Sequence, residues 1–324
     1  MLRHTAKRIL LMFPTLFGAA MLAFFLLRVI PGDICEVRFG GIEGGTYNLA
    51  AVELCREQNG LNKPLALQFG QFIAGVVSFD FGISMWSHYP ILDELGQRFP
   101  LSIQLTVMAM TVSIALGIPL GVVAALRQDT WTDYLVRSFS IVGIAVPSFW
   151  FGMMLIVGLL LSTHVLFDQP WMPPLEYTPF FDDPVGNLEQ LIWPAIAVGY
   201  RFSASVMRWT RSAMLEVLHE DYIRTARGKG LLKRIVTRRH ALKNAMLPVI
   251  TVLGMEFAAL MSGLVVIEQV FNLNGIGKWF VLSIDNHDFT STQTLVLLFA
   301  FIFIVTNFVV DIFYAWLDPR IRYT

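Results

Sequence analysis

Residues 294–310 read TLVLLFAFIFIVTNFVV, a run without a single charged side chain. At 1.5 Å of rise per residue, about 20 such residues cross a hydrocarbon core of about 30 Å. Three more charge-free runs of that order lie at 9–27, 99–126 and 138–167. The stretch 191–207 is shorter, broken by Arg201 and punctuated by Pro194 and Gly199, and reads as a short or tilted span. The stretch 245–270 carries Glu256 and Glu268, yet its length and flanks still fit a span. The whole chain of 324 residues is 55% hydrophobic and only 15% charged, with a mean hydropathy of +0.60. A soluble domain is less apolar and more charged than this. The expected fold is therefore an all-α integral membrane protein with six transmembrane helices.

Arg3, Lys7 and Arg8 precede the first run, which is also how a secretory signal opens. That run exceeds the usual signal core of about 7 to 15 residues and further spans follow, so an uncleaved first helix is expected. Six spans put both termini on one side of the membrane. With them fall Arg127, Arg137, Arg320, Arg322 and the basic residues from Arg208 to Lys243. The opposite side holds Arg28, Arg38, Arg56, Lys63, Arg98 and Lys278 with many of the acids. Basic residues collect on the cytoplasmic side, so both termini are expected there. The formal net charge of zero hides this separation.

The only two cysteines, Cys35 and Cys55, share the first external segment, 31–98. A disulfide and two unpaired residues both fit, since an oxidising compartment permits a bridge without requiring one. In the same segment Leu65, Phe69, Phe72, Ile73 and Val76 recur at helical spacing, predicting a short amphipathic helix on the outer surface. Pro170, Pro173, Pro174, Pro179 and Pro184 argue against a long helix in 168–189. Residues 272–293 read as a polar loop with turn signals at Asn272, Asn274, Gly275 and Gly277.

The cytoplasmic stretch 208–247 is far longer than an ordinary connection. Met214, Leu215, Leu218, Tyr222 and Ile223 fall mostly at three- and four-residue intervals. Gly228 and Gly230 then weaken helix continuity, at about 1 kcal/mol for each interior position. Leu231, Leu232, Ile235 and Val236 resume the apolar pattern among Lys233, Arg234, Arg238 and Arg239. A helix, a bend and a second helix are predicted.

The wording of this stretch, DYIRTARGKGL from Asp221 to Leu231 followed by RHALKNA from Arg239 to Ala245 and Leu247-Pro248, resembles the coupling loop of ABC importer permeases. The similarity is to the dipeptide, oligopeptide and nickel permease family, and to the first member of each permease pair. It extends along nearly the whole chain, through RVIPGD at 28–33, GLNKP at 60–64, GIPLG at 117–121, PSFW at 147–150 and DPR at 318–320. Phe79 stands where the family usually has glycine, and Asn274 where a proline is common. Ala245 replaces the isoleucine of the general pattern, and Arg224-Thr225-Ala226 stands for its Glu-Ala-Ala.

The resemblance implies a type I importer subunit. It is organised as a cytoplasmic N-terminus and first helix (1–30), an external segment (31–98) and a five-helix core (99–324) that contains the coupling loop 208–247. It implies as partners a second permease, two ABC ATPase subunits, an external substrate-binding protein and membrane lipid, and no nucleic acid. Glu220, Asp221, Tyr222, Arg224, Thr225, Ala226, Arg227, Gly228, Gly230 and Leu231 would form the coupling helix seated in an ATPase cleft. Tyr222 with Leu218 would supply its packing, and Gly228 and Gly230 its joint. The bland alternative is a solvated basic helix that only follows the charge rule or touches anionic lipid.

No Gly-x-x-x-x-Gly-Lys-Ser/Thr stretch occurs, and Gly277-Lys278 lacks its context, so ATP and magnesium belong on the partner subunits. No acyl-transfer motif or zinc-like Cys/His spacing is present; His88, His164 and His287 are scattered, and the chain is not expected to be an enzyme. Ionisable groups at membrane depth often line a pathway, which nominates Glu256, Arg201 and Asp311. The latter two also fit structural roles near helix ends. Pro147, Ser148 and Trp150 in the third span would line a passage or form a packing kink. Peptides are the expected cargo, with nickel complexes, glutathione and oligosaccharides as alternatives. A channel or a secondary transporter is the rival of a different class, but the latter would show repeated halves and broken helices.

Overall fold

The computed structural model describes residues 2–29, 32–39, 48–168, 171–172 and 177–317, without the side chains of 2–7, 262, 263, 311 and 313–317. Among them the regular structure is helical apart from one isolated bridge, Ile83 to Pro90. The elements are α1 (Leu2–Val29), α2 (Ile34–Phe39), α3 (Leu49–Gln58), α4 (Leu65–Ser78), α5 (Ile91–Leu126), α6 (Trp131–Ala145) and α7 (Ser148–Phe167). They continue with α8 (Pro184–Leu218), α9 (Asp221–Gly228), α10 (Lys233–Ile235), a π-helical turn (Val236–Ala241), α11 (Leu242–Val270), α12 (Ile276–Asp285) and α13 (Phe289–Leu317). Five helices among the described residues, α1, α5, α7, α11 and α13, are long and apolar enough to cross a membrane.

Two of the expected six spans are changed. The run 138–167 is not one helix: the chain leaves α6 at Val146, which is extended, and restarts as α7 behind Pro147. Proline has no N–H to give and biases the residue before it away from helix. Apolar composition alone conceals such a break. The expected short span at 191–207 lies inside α8, which has 35 residues. Its start at Pro184 falls where a loop was expected, because a proline at the first helical position loses no hydrogen bond. Asp183 caps it, with Oδ1 accepting from the N–H groups of Val185 (3.2 Å) and Gly186 (3.1 Å). The polar loop expected at 272–293 likewise contains α12, whose Ile276, Gly277, Trp279 and Ser283 are buried.

The chain forms two compact units: residues 1–102 with 274–305, and residues 103–273 with 306–324. In the first, α1 packs on α4 through an aromatic cluster in which Phe24 meets Phe69 at 5.1 Å and Phe72 at 6.1 Å. Helix α4 runs over the residues 65–76 at which a helix was expected. It ends on Phe79, whose φ of +57° is the left-handed value that a helix-terminating glycine usually supplies. Cys35 and Cys55 are bonded, with Cα atoms 5.7 Å apart, and join α2 to α3 around Ile34 and Val52. Arg56 straps the same pair of helices, donating to Asp33 (2.7 Å) and Glu36 (2.5 Å). Asn274 accepts from Arg98 at 3.0 Å, a bond no proline there could make.

In the second unit α8 is the central helix, packed against α6, α7 and α11. Gly117 and Gly121 of α5 lie where a side chain has no room. A Cβ at Gly121 would stand 2.6 Å from the Met207 carbonyl oxygen, and one at Gly117 2.7 Å from Val206 Cβ. The small pair spaced by four thus lets two helix backbones approach closely, as helices in lipid commonly do.

Candidate functional site

The loop after α8 holds the sequence-selected residues together. Helix α9 starts after the extended Glu220, carries Asp221 in its first turn and Arg227 in its last, and so complements its own dipole. Its end is a glycine-capped turn: Gly230 N–H donates to the Arg227 carbonyl (3.0 Å) and Leu231 N–H to that of Ala226 (3.4 Å). This requires the left-handed Gly230, at φ +77°. Gly228 is the last helical residue, and the turn itself belongs to Gly230.

The helix is two-faced. Ile223 is fully buried and Ala226 nearly so, set in a core with Met214 of α8, Val236 and Ala241 of the π-helical turn, and Ala245 and Val249 of α11. The expectation that Tyr222 supplies the packing with Leu218 is corrected in part: Leu218 packs on that core, but Tyr222 is 41% exposed. The Tyr222 hydroxyl instead accepts from Asn244 Nδ2 at 2.7 Å, pinning α9 to α11. Glu220, Asp221, Arg224, Thr225, Arg227, Gly228, Gly230 and Leu231 all face outward. Arg224 reaches Asp221 at 3.4 Å, an exposed pair that contributes little. Ile223 was overlooked as a site residue, although its spacing from Met214, Leu215 and Leu218 marks the apolar face. The π-helical turn had no signal in residue pattern; such turns are uncommon and are frequent at functional sites.

One further tie lies between the start of α6 and α8. Arg211 donates to both oxygens of Asp133, at 2.8 and 2.7 Å, and Asp133 is fully buried. These bonds hold the Asp133 carboxyl below the usual carboxylate range, against the opposing effect of burial.

The pathway candidates separate. Trp150 lines an apolar hollow of about 460 Å³ with Leu116, Phe139, Val146, Ile196 and Tyr200. Pro147 and Ser148 sit at the adjacent helix start. Glu256 is not among the residues of that hollow. It is buried in α11, hydrogen-bonded by Ser205 of α8 with Arg208 nearby, and its Oε2 has no partner. Arg201 is exposed, and the side chain of Asp311 lies outside the described residues. Among the described residues no three His, Cys, Asp or Glu come together as a metal site requires.

Residues 117–323 match the family described as the binding-protein-dependent transport system inner membrane component. The chain belongs to this family of ABC importer permeases. Whole-length relatives agree: the glutathione transport system permease protein GsiC of Escherichia coli (strain K12) and that of Salmonella paratyphi A are each 36% identical over 323 residues, covering all of both chains. The inward-facing MetNI methionine ABC transporter shares the fold, with a TM-score of 0.54 at 14% identity, over 70% of this permease and 97% of that chain. This permease is thus a multi-pass inner-membrane subunit of the dipeptide, oligopeptide, nickel and glutathione type, and not an enzyme. Family membership implies a paired permease, ATPase subunits and a substrate-binding protein.

Proposed function

We propose that this permease forms half of the path by which an ATP-driven importer carries glutathione or closely similar small peptides into the cell. The whole-length similarity to permeases named for glutathione transport carries the choice of cargo. It favours glutathione, first weighed as an alternative, over di- and oligopeptides in general.

In this reading α8 is the sixth span, both termini are cytoplasmic, and segment 31–98 with α4 faces the external binding protein. Residues 1–30 and 99–324 supply the first helix and the permease core. Helix α9 is the coupling helix. Its outward residues Glu220, Asp221, Tyr222, Arg224, Thr225, Arg227, Gly228, Gly230 and Leu231 meet the ATPase, while Ala226 and Ile223 seat it. Two ATPase subunits supply ATP and magnesium chemistry, and a second permease completes the cavity. Pro147, Ser148, Trp150 and Glu256 are proposed to line the path. Two observations support the coupling role: α9 is exposed on one face and buried against the core on the other. A push on a helix so seated is passed to α8 and α11.

The test is uptake into proteoliposomes containing the complete transporter and its binding protein. Labelled glutathione should accumulate with ATP, and an excess of unrelated dipeptides should displace it poorly. Preferential uptake of the dipeptides would overturn the cargo, and uptake by this chain without any ATPase would overturn the importer reading.

A further inference from the structure

At the end of α1 stands a cation whose chemistry is incomplete. Arg28 is half-buried. It donates through Nε and Nη2 to Gln68 Oε1, at 3.3 and 2.9 Å, and through Nη1 to the Phe24 carbonyl at 3.0 Å. Its guanidinium carbon lies 3.4 Å from the centre of the Phe24 ring. Gln68 is itself fixed, because its Nε2 donates to the carbonyls of Leu61 (3.0 Å) and Lys63 (2.9 Å). The nearby carboxylates Asp33 and Glu36 are taken by Arg56, and no described carboxylate pairs with Arg28. A guanidinium has five N–H donors, so Arg28 keeps two for an outside acceptor.

Arg28 lines a hollow of about 240 Å³ between α1, α4 and the start of α13. Gln293 of α13 lines the same hollow and is only 7% exposed, and its Oε1 has no hydrogen-bond partner. An unpartnered buried carbonyl of this kind calls for a donor. The hollow therefore offers donors at Arg28 and an acceptor at Gln293, with Phe24, Phe72 and Val76 as apolar wall; the exposed Asp80 also lines it, its Oδ1 accepting from the Gly82 N–H at 3.1 Å.

The place selects the ligand. The apolar run 9–27 is about 28 Å long as a helix, so Arg28 follows one hydrocarbon thickness of chain and lies at headgroup depth. Next to it, Phe25, Leu26 and Val29 are exposed, at 42%, 60% and 79%, as surface for acyl chains. We infer that this hollow binds a phosphatidylethanolamine headgroup, with Arg28 taking the phosphate and Gln293 Oε1 accepting from the ammonium. Arginine suits phosphate because two parallel N–H groups match two oxygens. The inference needs α1 to cross the bilayer and does not depend on the cargo or on the coupling role.

Native mass spectrometry of the delipidated whole transporter tests it, with dioleoyl phosphatidylethanolamine and dioleoyl phosphatidylcholine added in turn. Phosphocholine has no N–H to give Gln293, so the wild type should retain the ethanolamine lipid roughly tenfold better. Arg28→Gln should weaken retention of both lipids by about tenfold or more. Gln293→Leu should erase the difference between them while leaving phosphate binding in place, and it decides the matter if the Arg28 variant fails to fold. Equal retention of the two lipids by the wild type, or an unchanged preference in Gln293→Leu, would overturn the inference. So would displacement by water-soluble glycerophosphoethanolamine at the concentration at which the lipid binds, since the ligand would then be a soluble molecule.

Discussion

Replacing Ile223 by alanine should separate ATP hydrolysis from transport. An eight-residue helix is not stable alone in water, so α9 depends on what it packs against. Its inward anchors are Ile223 and the smaller Ala226. The Tyr222–Asn244 bond adds about 1 kcal/mol, and the exposed Arg224–Asp221 pair adds little. Truncating the isoleucine removes three carbons, about 2.4 kcal/mol of transfer free energy at about 0.8 per carbon. The cavity left among Met214, Val236 and Ala241 brings the cost to roughly 2–5 kcal/mol. A loss of about 3 kcal/mol shifts the ratio of docked to undocked α9 by roughly a hundredfold.

The assay is ATP hydrolysed per substrate molecule imported in proteoliposomes, read beside hydrogen exchange of residues 221–228. Ile223→Ala should raise the ATP cost per import steeply and speed exchange in α9. Ile223→Val, costing about 0.5–1.5 kcal/mol, should change both only slightly. Import by the alanine variant at the wild-type ratio, with unchanged exchange, would mean that the seat does not transmit the push.

Three other outcomes are expected. Phe79→Gly should raise the thermal stability of the α4 region by up to about 1 kcal/mol, since a left-handed conformation costs a residue with a side chain roughly 1–2 kcal/mol and glycine pays back part of this in chain entropy; an unchanged or lower Tm counts against it. Cys35→Ser should lower stability by about 3 kcal/mol, from the entropy of a loop of 20 residues, and dithiothreitol should do the same to the wild type but nothing further to the variant. Arg211→Ala should cost roughly 3–5 kcal/mol because it strands the buried Asp133 carboxylate, whereas Asp133→Asn should cost less. The Asp133 carboxyl is lowered in the folded state, so its contribution is complete above about pH 4 and is lost as pH falls further; a denaturation series in acid should show that loss in the wild type and not in Asp133→Asn.

The runs 9–27, 99–126 and 294–310 were legible because a charge-free stretch of bilayer length has few other uses. The run 138–167 misled for the same reason: hydropathy is blind to the direction of the backbone, and only Pro147 hinted at the break. Helix α8 stood out only over 191–207, as a short or tilted span. Its Ser203 and Thr210 are buried against neighbouring helices, so it needs less apolar surface than a helix facing lipid. In the loop, Asp221 to Leu231 could be singled out as words, and Gly230 as a turn. That Ile223 and not Tyr222 seats the helix follows from which face of α9 meets α8 and the π-helical turn in space, which no spacing encodes. The Cys35–Cys55 pairing was open because proximity in space is not a property of a chain read in line.

That bridge also bears on how the protein is made. Under the proposed topology both thiols leave the ribosome in a reducing compartment and meet an oxidising one only after α1 has inserted with its basic end held back. A polypeptide threaded the wrong way round would keep two free thiols indefinitely. The bond is thus a chemical record of correct insertion, and the fraction of newly made chains that resist maleimide labelling would report, in living cells, how faithfully the membrane reads Arg3, Lys7 and Arg8.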